Sequence, residues 1–62
     1  MKYNFVLFDE NNDILFETTE LYILNNYMCL NGIEYSQEFI NIIDNGIEIH
    51  YDNGDYLQVI NL

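Results

Sequence analysis

The sequence predicts an α+β domain: two β-hairpins form one small antiparallel sheet, and one or two short helices cover one of its faces. Strand-like segments open and close the chain, each interrupted by a polar turn, and the middle holds two segments with helical features. Placing helices on one face is the simplest way to bury a one-sided sheet. An all-β meander or small barrel is the alternative.

The length allows a single domain over residues 1–62. A domain of this size buries only ~60% of the surface that its unfolded chain exposes, so its stability is marginal. The composition is 50% hydrophobic and 16% aromatic, with six Tyr and four Phe. Because one small core cannot easily enclose ten large rings, some are expected at its rim, at a partner surface or in a homodimer interface.

The first hairpin is predicted from Tyr3 to Glu17. The segment Tyr3–Phe8 is aromatic and β-branched, and both of its alternating faces are largely apolar, which indicates a strand covered on two sides. Residues 9–13 form a turn, because short polar side chains tolerate the left-handed conformation and bond their own backbone. Ile14–Glu17 follows as the return strand.

The middle of the chain predicts a helix over Leu21–Leu30. Thr18, Thr19 and Glu20 offer N-cap residues, and Asn31-Gly32 followed by the apolar Ile33 is typical of a helix end. The same residues also fit strands joined by Asn25-Asn26 and Asn31-Gly32, since their helix propensity is modest and no polar stripe is visible. The helix is favoured.

A second, shorter helix is predicted over Gln37–Asp44. Ser36 is its N-cap candidate, and Asn45-Gly46 before Ile47 repeats the pattern of a helix end. A helix this short needs packing against the rest of the fold to exist.

Asn53-Gly54 predicts the closing hairpin, because a type I′ turn needs positive φ at both central residues. A two-residue loop there makes Asp52 face Asp55 and pairs Tyr51 with Tyr56. The predicted core face then holds Ile47, Ile49, Tyr51, Tyr56, Ile60 and the polar Gln58. The predicted outer face holds Glu48, His50, Asp52, Asp55, Leu57 and Val59.

Charge is the strongest functional feature of the sequence. Eleven acidic residues face one basic residue, Lys2, for a net charge of −10. Self-repulsion destabilises the compact state, and the negative field attracts basic surfaces while it repels nucleic acid and anionic membranes. Because phosphate neutralisation needs Lys or Arg, this composition argues against direct nucleic-acid binding.

The cellular location is predicted from what the sequence lacks. Cys29 is the only cysteine, which fits a reducing compartment, and its apolar surroundings predict a buried, inert thiol. The chain starts without a signal-peptide pattern, and its apolar runs fall far short of the ~20 residues that span a bilayer. A cytoplasmic protein is expected.

No catalytic or cofactor motif stands out. Asp9, Asn11, Asp13 and Glu20 have partial calcium-loop spacing, but Ile14 stands where that loop requires glycine. A plain acidic hairpin tip is therefore favoured, and no metal or cofactor is expected.

A catalytic base needs a nucleophile and an orienting group, and for the only histidine, His50, the sequence offers no more than the proximity of Glu48 and Asp52. It is interpreted as an ordinary surface side chain. The chain is therefore expected not to be an enzyme.

The leading interpretation is a protein inhibitor that places its acidic surface in a basic groove of a nucleic-acid-handling protein. The residues expected to contact this partner are acids on and between the hairpins and two hairpin tyrosines. They are Asp9, Glu10, Asp13, Glu34, Glu38, Glu48, Asp52, Asp55, Tyr51 and Tyr56. The alternative is a structural module that forms a homo-oligomer through its aromatic residues.

Small size, a near absence of Lys and Arg, and the acidic tips at residues 9–13 and 52–55 also carry a resemblance. The chain resembles the small acidic proteins that phages use against host defences, including anti-CRISPR proteins and other DNA mimics. These families share no common signature, so no residue roles carry over. The resemblance implies a nuclease or effector complex as partner, no enzymatic activity, and the host-cell cytoplasm as location.

Overall fold

A computed structural model describes residues 2–62 as a four-stranded antiparallel sheet with helices packed on one face. The strands are β1 (Tyr3–Phe8), β2 (Ile14–Thr18), β3 (Ile47–His50) and β4 (Tyr56–Asn61), in the order β2-β1-β4-β3. The helices are α1 (Leu21–Met28), continued by a 3-10 turn at Cys29–Asn31, and α2 (Gln37–Ile42). The predicted α+β class is confirmed. Within residues 2–62, neither helix has the length and apolar character to cross a membrane.

The first and last strands form the centre of the sheet. β1 pairs with β4 along its whole length, from Tyr3 opposite Asn61 to Phe8 opposite Tyr56. This placement explains the two apolar faces of β1. Its inner residues face the helices, and Val6, on the other face, is still only 4% exposed.

The core lies between the inner face of the sheet and the helices. Phe5, Leu57 and Val59 come from the two central strands, and Leu24 and Ile40 come from α1 and α2. All five are at most 1% exposed. Burying a side chain of this size contributes about 1.5–3 kcal/mol relative to leaving it in water.

The helical interpretation of the middle segment is confirmed, and its end follows the predicted pattern. Gly32 adopts φ 73°, and the Ile33 amide donates to the Met28 carbonyl over 3.3 Å. The helix also starts at the predicted residue, Leu21, but without a capping side chain. Glu20 occupies the N-cap position, while the Thr18 hydroxyl accepts from the Glu20 amide before the helix begins.

Tertiary contacts compensate for the modest helix propensity of α1. The Asn25 side chain donates to the Tyr35 carbonyl over 2.7 Å and accepts from the Tyr35 amide over 2.8 Å. Leu24 and Met28 are buried on the same helix. In proteins, most helical stability comes from such packing rather than from propensity.

The second helix starts as predicted and ends early. The Ser36 hydroxyl accepts from the Phe39 amide over 3.1 Å, but the helix ends at Ile42, two residues before the predicted end at Asp44, and Ile43 is already extended. Gly46, at φ 80°, lies in a turn closed by the Ile47 amide and the Asp44 carbonyl. The second Asn-Gly pair is therefore part of a turn and does not end the helix.

The predicted register of the closing hairpin is wrong by one residue. His50, not Tyr51, lies opposite Tyr56, and Ile49 lies opposite Leu57. In the connecting turn only Gly54 has positive φ, whereas a type I′ turn would require it at Asn53 as well. Asp52 and Asp55 consequently do not face each other, because Asp55 lies opposite Tyr51 in the backbone pairing.

The shift exchanges the residues on the two faces of β4. Leu57 and Val59, predicted outside, are 0% and 1% exposed in the core. Tyr56, Gln58 and Ile60, predicted inside, lie on the face without helices, which we call the open face. The observed turn places Leu57 and Val59 in the core and leaves only Ile60, of the three branched aliphatic side chains of β4, on the open face. A one-residue slip moves every side chain to the opposite face.

Candidate functional site

The connection between β1 and β2, residues 9–13, is a hydrogen-bonded β-turn followed by one left-handed residue. The Asn12 amide donates to the Asp9 carbonyl over 3.0 Å, and the Asp9 amide donates to the Asp13 carbonyl over 2.9 Å. Asn12 is the left-handed residue, with φ 66°. Asp9 Oδ1 also accepts from the amides of Asn11 and Asp13, at 2.8 and 2.9 Å. We call this segment the first turn.

The connection between β3 and β4, residues 51–55, repeats this geometry, and we call it the second turn. The Gly54 amide donates to the Tyr51 carbonyl over 3.1 Å, and the Tyr51 amide donates to the Asp55 carbonyl over 2.9 Å. Gly54, at φ 92°, is the left-handed residue. Asn53 accepts from the Asp55 amide and donates to the Asp55 carboxylate, both over 3.0 Å. Each turn therefore places a carboxylate at its second and its fifth position.

The two turns lie side by side at one end of the sheet, because β1 ends where β4 begins. The Tyr56 hydroxyl donates to Asn12 Oδ1 over 2.9 Å. A methyl group added at Gly54 would lie 3.0 Å from Glu10 Cβ. These contacts join the turns into one surface, the acidic end, whose five carboxylates are those of Asp9, Glu10, Asp13, Asp52 and Asp55.

The single basic residue of the chain lies at the opposite end of the sheet. Lys2 immediately precedes β1, and its carbonyl accepts from the Leu62 amide over 2.9 Å. Glu10, Asp13 and Asp52 are exposed at the acidic end. These three carboxylates therefore face solvent, and no lysine or arginine of the same chain lies at the acidic end to neutralise any of its five carboxylates.

The other three predicted acids lie elsewhere. Glu48 is on the open face, where its Oε1 lies 3.2 Å from His50 Nε2. Glu34 lies in the loop before α2, and Glu38 lies in the first turn of that helix. Among the interactions described for residues 2–62, no hydrogen bond or ion pair connects these acids to the two turns. The acidic end is therefore built from the hairpin tips.

The two predicted tyrosines have different positions. Tyr56 is half-buried on the open face, where its ring stacks between Phe8 and His50 with centroids 4.8 and 5.2 Å away. Tyr51 is half-buried on the inner side, and its hydroxyl is hydrogen-bonded to that of Tyr35. Burial first, and then this hydrogen bond, raise the pKa of Tyr51 above its ordinary value, so the hydroxyl keeps its proton at alkaline pH values where an exposed tyrosine ionises.

A cleft of about 250 Å³ opens between the second turn and the end of α1. Leu7 and Met28 line its apolar part. Asp52 and Asp55 line it from the second turn, and Asn31 lines it from the 3-10 turn. The cleft joins the helical layer to the acidic end.

Two interpretations from the sequence need correction or comment. Cys29 is exposed rather than buried, and its thiol donates to the Asn26 carbonyl over 3.1 Å. The calcium-loop spacing does not converge, because Glu20 lies beyond the far end of β2 and the Asp9 carboxylate bonds the turn backbone. Within residues 2–62, no group of three or more His, Cys, Asp or Glu side chains is arranged to hold a metal ion.

Sequence reasoning missed the equivalence of the two turns and the role of Asn31 in the cleft. A usable pattern was present: residues 10–13 read Glu-Asn-Asn-Asp and residues 52–55 read Asp-Asn-Gly-Asp. Both place an acid, an asparagine, a residue that tolerates positive φ, and an aspartate at the same spacing. That correspondence favours one turn type for both hairpins.

Comparison with known proteins provides no family assignment. No protein-family model matches the chain, and no curated protein or solved structure matches it either. The charge and geometry of the acidic end are therefore the basis for inferring function.

Proposed function

We propose that this protein is a non-enzymatic inhibitor whose acidic end binds a basic, nucleic-acid-binding groove of a nuclease or another nucleic-acid-handling effector. One observation carries the proposal: two turns of the same geometry lie in contact and present five carboxylates at one end of the sheet, opposite the only lysine. By occupying the groove, the protein excludes the nucleic acid. This mode of action is that of an anti-CRISPR-like DNA mimic, working in the cytoplasm of the host cell.

Electrostatics favours such a partner. An uncompensated negative field accelerates the approach of a basic surface and suppresses binding to acidic ones. Arginine-rich grooves match carboxylates well, because the guanidinium fork pairs with two oxygens at once.

The distance between the two acidic turns is also similar to the width of a groove in duplex DNA. The first turn spans β2 and β1 and the second spans β4 and β3, so their centres are two strand spacings apart, roughly 10 Å. The grooves of duplex DNA are ~6 and ~12 Å wide, so the two turns separate negative charge on a similar scale. Because the backbones of both turns are already hydrogen-bonded, the turns keep this separation and lose little conformational entropy when a partner binds.

The test compares two variants of equal net charge. The turn variant carries Glu10→Gln, Asp13→Asn and Asp52→Asn, and the matched variant carries Glu17→Gln, Glu20→Gln and Asp44→Asn. All six positions are exposed, and each variant removes three of the ten net negative charges, leaving −7. The immobilised wild-type chain is used to capture proteins from a host lysate, and captured proteins are eluted with salt and assayed for nucleic-acid binding.

We expect the captured partner to bind DNA or RNA, to be displaced by that nucleic acid, and to elute as the salt concentration rises. The turn variant should bind it at least about tenfold more weakly, whereas the matched variant should stay within about twofold of wild type. Equal weakening in both variants would mean that net charge, not the acidic end, drives binding. Capture only of proteins without nucleic-acid affinity would also contradict the proposal.

The alternative, a structural module that self-associates through aromatic residues, has few free rings, with Tyr22 65% exposed, and exposed aliphatic side chains would add to such an interface. Most rings are engaged in stacks within the chain, such as Phe16 on Tyr27 and Tyr35 on Phe39. Leu30 is 84% exposed and Ile42 is 79% exposed. A molecular mass in solution that doubles at high salt, where charge repulsion is screened, would favour this alternative.

A further inference from the structure

We propose that the cleft between the second turn and the end of α1 receives one arginine side chain of the partner. This inference rests on the proposed function, because it specifies how a basic groove is recognised by the acidic end. Three features of the cleft carry it: its size, its preformed apolar walls and the charge at its opening.

The size of the cleft suits a single side chain. Sites for drug-sized ligands measure ~300–1,000 Å³, and this open cleft measures about 250 Å³. An arginine side chain has seven non-hydrogen atoms and is therefore much smaller than a drug-sized ligand. One extended arginine therefore fits, and a whole peptide segment does not.

The walls of the cleft are held in place before any ligand arrives. Tyr27, on one side, stacks on Phe16 with the ring centroids 4.6 Å apart. Tyr51, on the other side, is hydrogen-bonded through its hydroxyl to Tyr35. Because these rings are already ordered, little side-chain entropy is lost on binding. Their apolar surface suits the methylene groups of an arginine, and an aromatic face also attracts its guanidinium.

The opening of the cleft is negative. Asp52 and Asp55 both line it, and Asn53 orients the partly buried Asp55 carboxylate through a 3.0 Å hydrogen bond. The only lysine of the chain lies at the other end of the sheet. A partly buried carboxylate without a cation gains most from a guanidinium, which is more weakly hydrated than an ammonium group and binds two oxygens at once.

The experiment uses small probes and NMR of the isotope-labelled full chain. The probes are N-acetyl-arginine amide, its lysine analogue and its neutral citrulline analogue. Asn31→Trp is the key variant, because residue 31 is exposed and lines the cleft, so an indole there fills the cleft without changing any charge. Thermal unfolding of the variant, compared with wild type, verifies that it folds.

We expect the arginine probe to shift the amide resonances of residues 31–33 and 51–55. The lysine probe should bind several-fold more weakly, and the citrulline probe should cause no shift. Asn31→Trp should abolish the arginine shifts, while the matched variant with changes at Glu17, Glu20 and Asp44 should retain them. Equal shifts with citrulline would overturn the proposal, because the cleft would then not select for charge.

A hexa-arginine peptide separates failure of this inference from failure of the proposed function. Binding should weaken about tenfold in Asn31→Trp and keep most of its salt dependence, because only the ion pair in the cleft is lost and every carboxylate is still present. If the turn variant weakens binding and Asn31→Trp does not, the acidic end binds basic ligands but the cleft does not. If neither variant weakens binding, both proposals are wrong.

Discussion

The first and second turns have the same backbone geometry but are fastened to the protein in different ways. Asp9, the first residue of the first turn, bonds the amides of its own turn with its carboxylate. Tyr51, at the equivalent position of the second turn, extends to Tyr35 in the loop before α2. The first turn is therefore stabilised locally, whereas the second is connected to the helical layer.

The left-handed position shows a second difference. Asn12 fills it in the first turn, and its side chain accepts from the Tyr56 hydroxyl. Gly54 fills it in the second turn, where an added Cβ would lie 3.0 Å from Glu10 Cβ and would require Glu10 to move by a few tenths of an ångström. One turn thus uses this position for a hydrogen bond between turns, and the other uses it for close approach.

Alanine at the two left-handed positions should give the largest difference between the turns. Gly54→Ala should lower the free energy of unfolding by about 2 kcal/mol or more, because positive φ is costly for alanine and its Cβ would press on Glu10. Asn12→Ala should lower the free energy of unfolding by only about 1 kcal/mol. The wild-type asparagine is itself partly strained at positive φ, and the hydrogen bond that is lost is exposed. Urea unfolding measures both values.

A double-mutant cycle isolates the contact between the turns. Glu10→Gly removes the Cβ that an alanine at position 54 would press against. In that background, Gly54→Ala should lower the free energy of unfolding by at least ~0.5 kcal/mol less than it does in wild type. Strict additivity would mean that the turns do not press on each other, which would weaken the description of the acidic end as one surface.

Loss of the tyrosine hydroxyl should affect the second turn. Tyr51→Phe should lower stability by about 1 kcal/mol at pH 7, because a half-buried hydrogen bond to Tyr35 is removed. Tyr22→Phe is the matched control, since Tyr22 is 65% exposed, and it should change stability by less than ~0.5 kcal/mol. A similar loss in both variants would indicate that the hydrogen bond of the Tyr51 hydroxyl contributes no more to stability than an exposed tyrosine hydroxyl does.

The same pair of variants predicts a pH effect. The folded-state pKa of Tyr51 is raised above the unfolded value of ~10, so its contribution to stability is complete below pH ~10. It is lost as the pH rises above ~10 toward the folded-state pKa. Stability measured between pH 9 and 11.5 should therefore fall more steeply in wild type and Tyr22→Phe than in Tyr51→Phe.

The smallest effect concerns salt. Raising ionic strength from 0.01 to 0.15 M shortens the Debye length from ~30 to ~8 Å, which should raise the Tm of the wild type by about 2–4 °C. The increase should be smaller in the turn variant, changed at Glu10, Asp13 and Asp52, than in the matched variant. Thermal unfolding at three salt concentrations measures it, and equal increases would show that repulsion is not concentrated at the acidic end.

Local patterns in the sequence were sufficient to predict the elements of this fold. The strand Tyr3–Phe8, the Ser36 cap and the helix end at Gly32 all depend on neighbouring residues, and each is present in the structure. The net charge of −10 is likewise a property of composition, independent of the fold.

Register and proximity were decided only by the tertiary structure. The local preference of Asn53-Gly54 for a type I′ turn gave way to the turn that buries Leu57 and Val59, because burial of two aliphatic side chains outweighs a turn preference. The pairing of β1 with β4, more than 50 residues apart at its outer end, places the two acidic turns together. Sequence spacing carries no information about that pairing, so the acidic residues could be counted from the sequence while their shared surface could not be located.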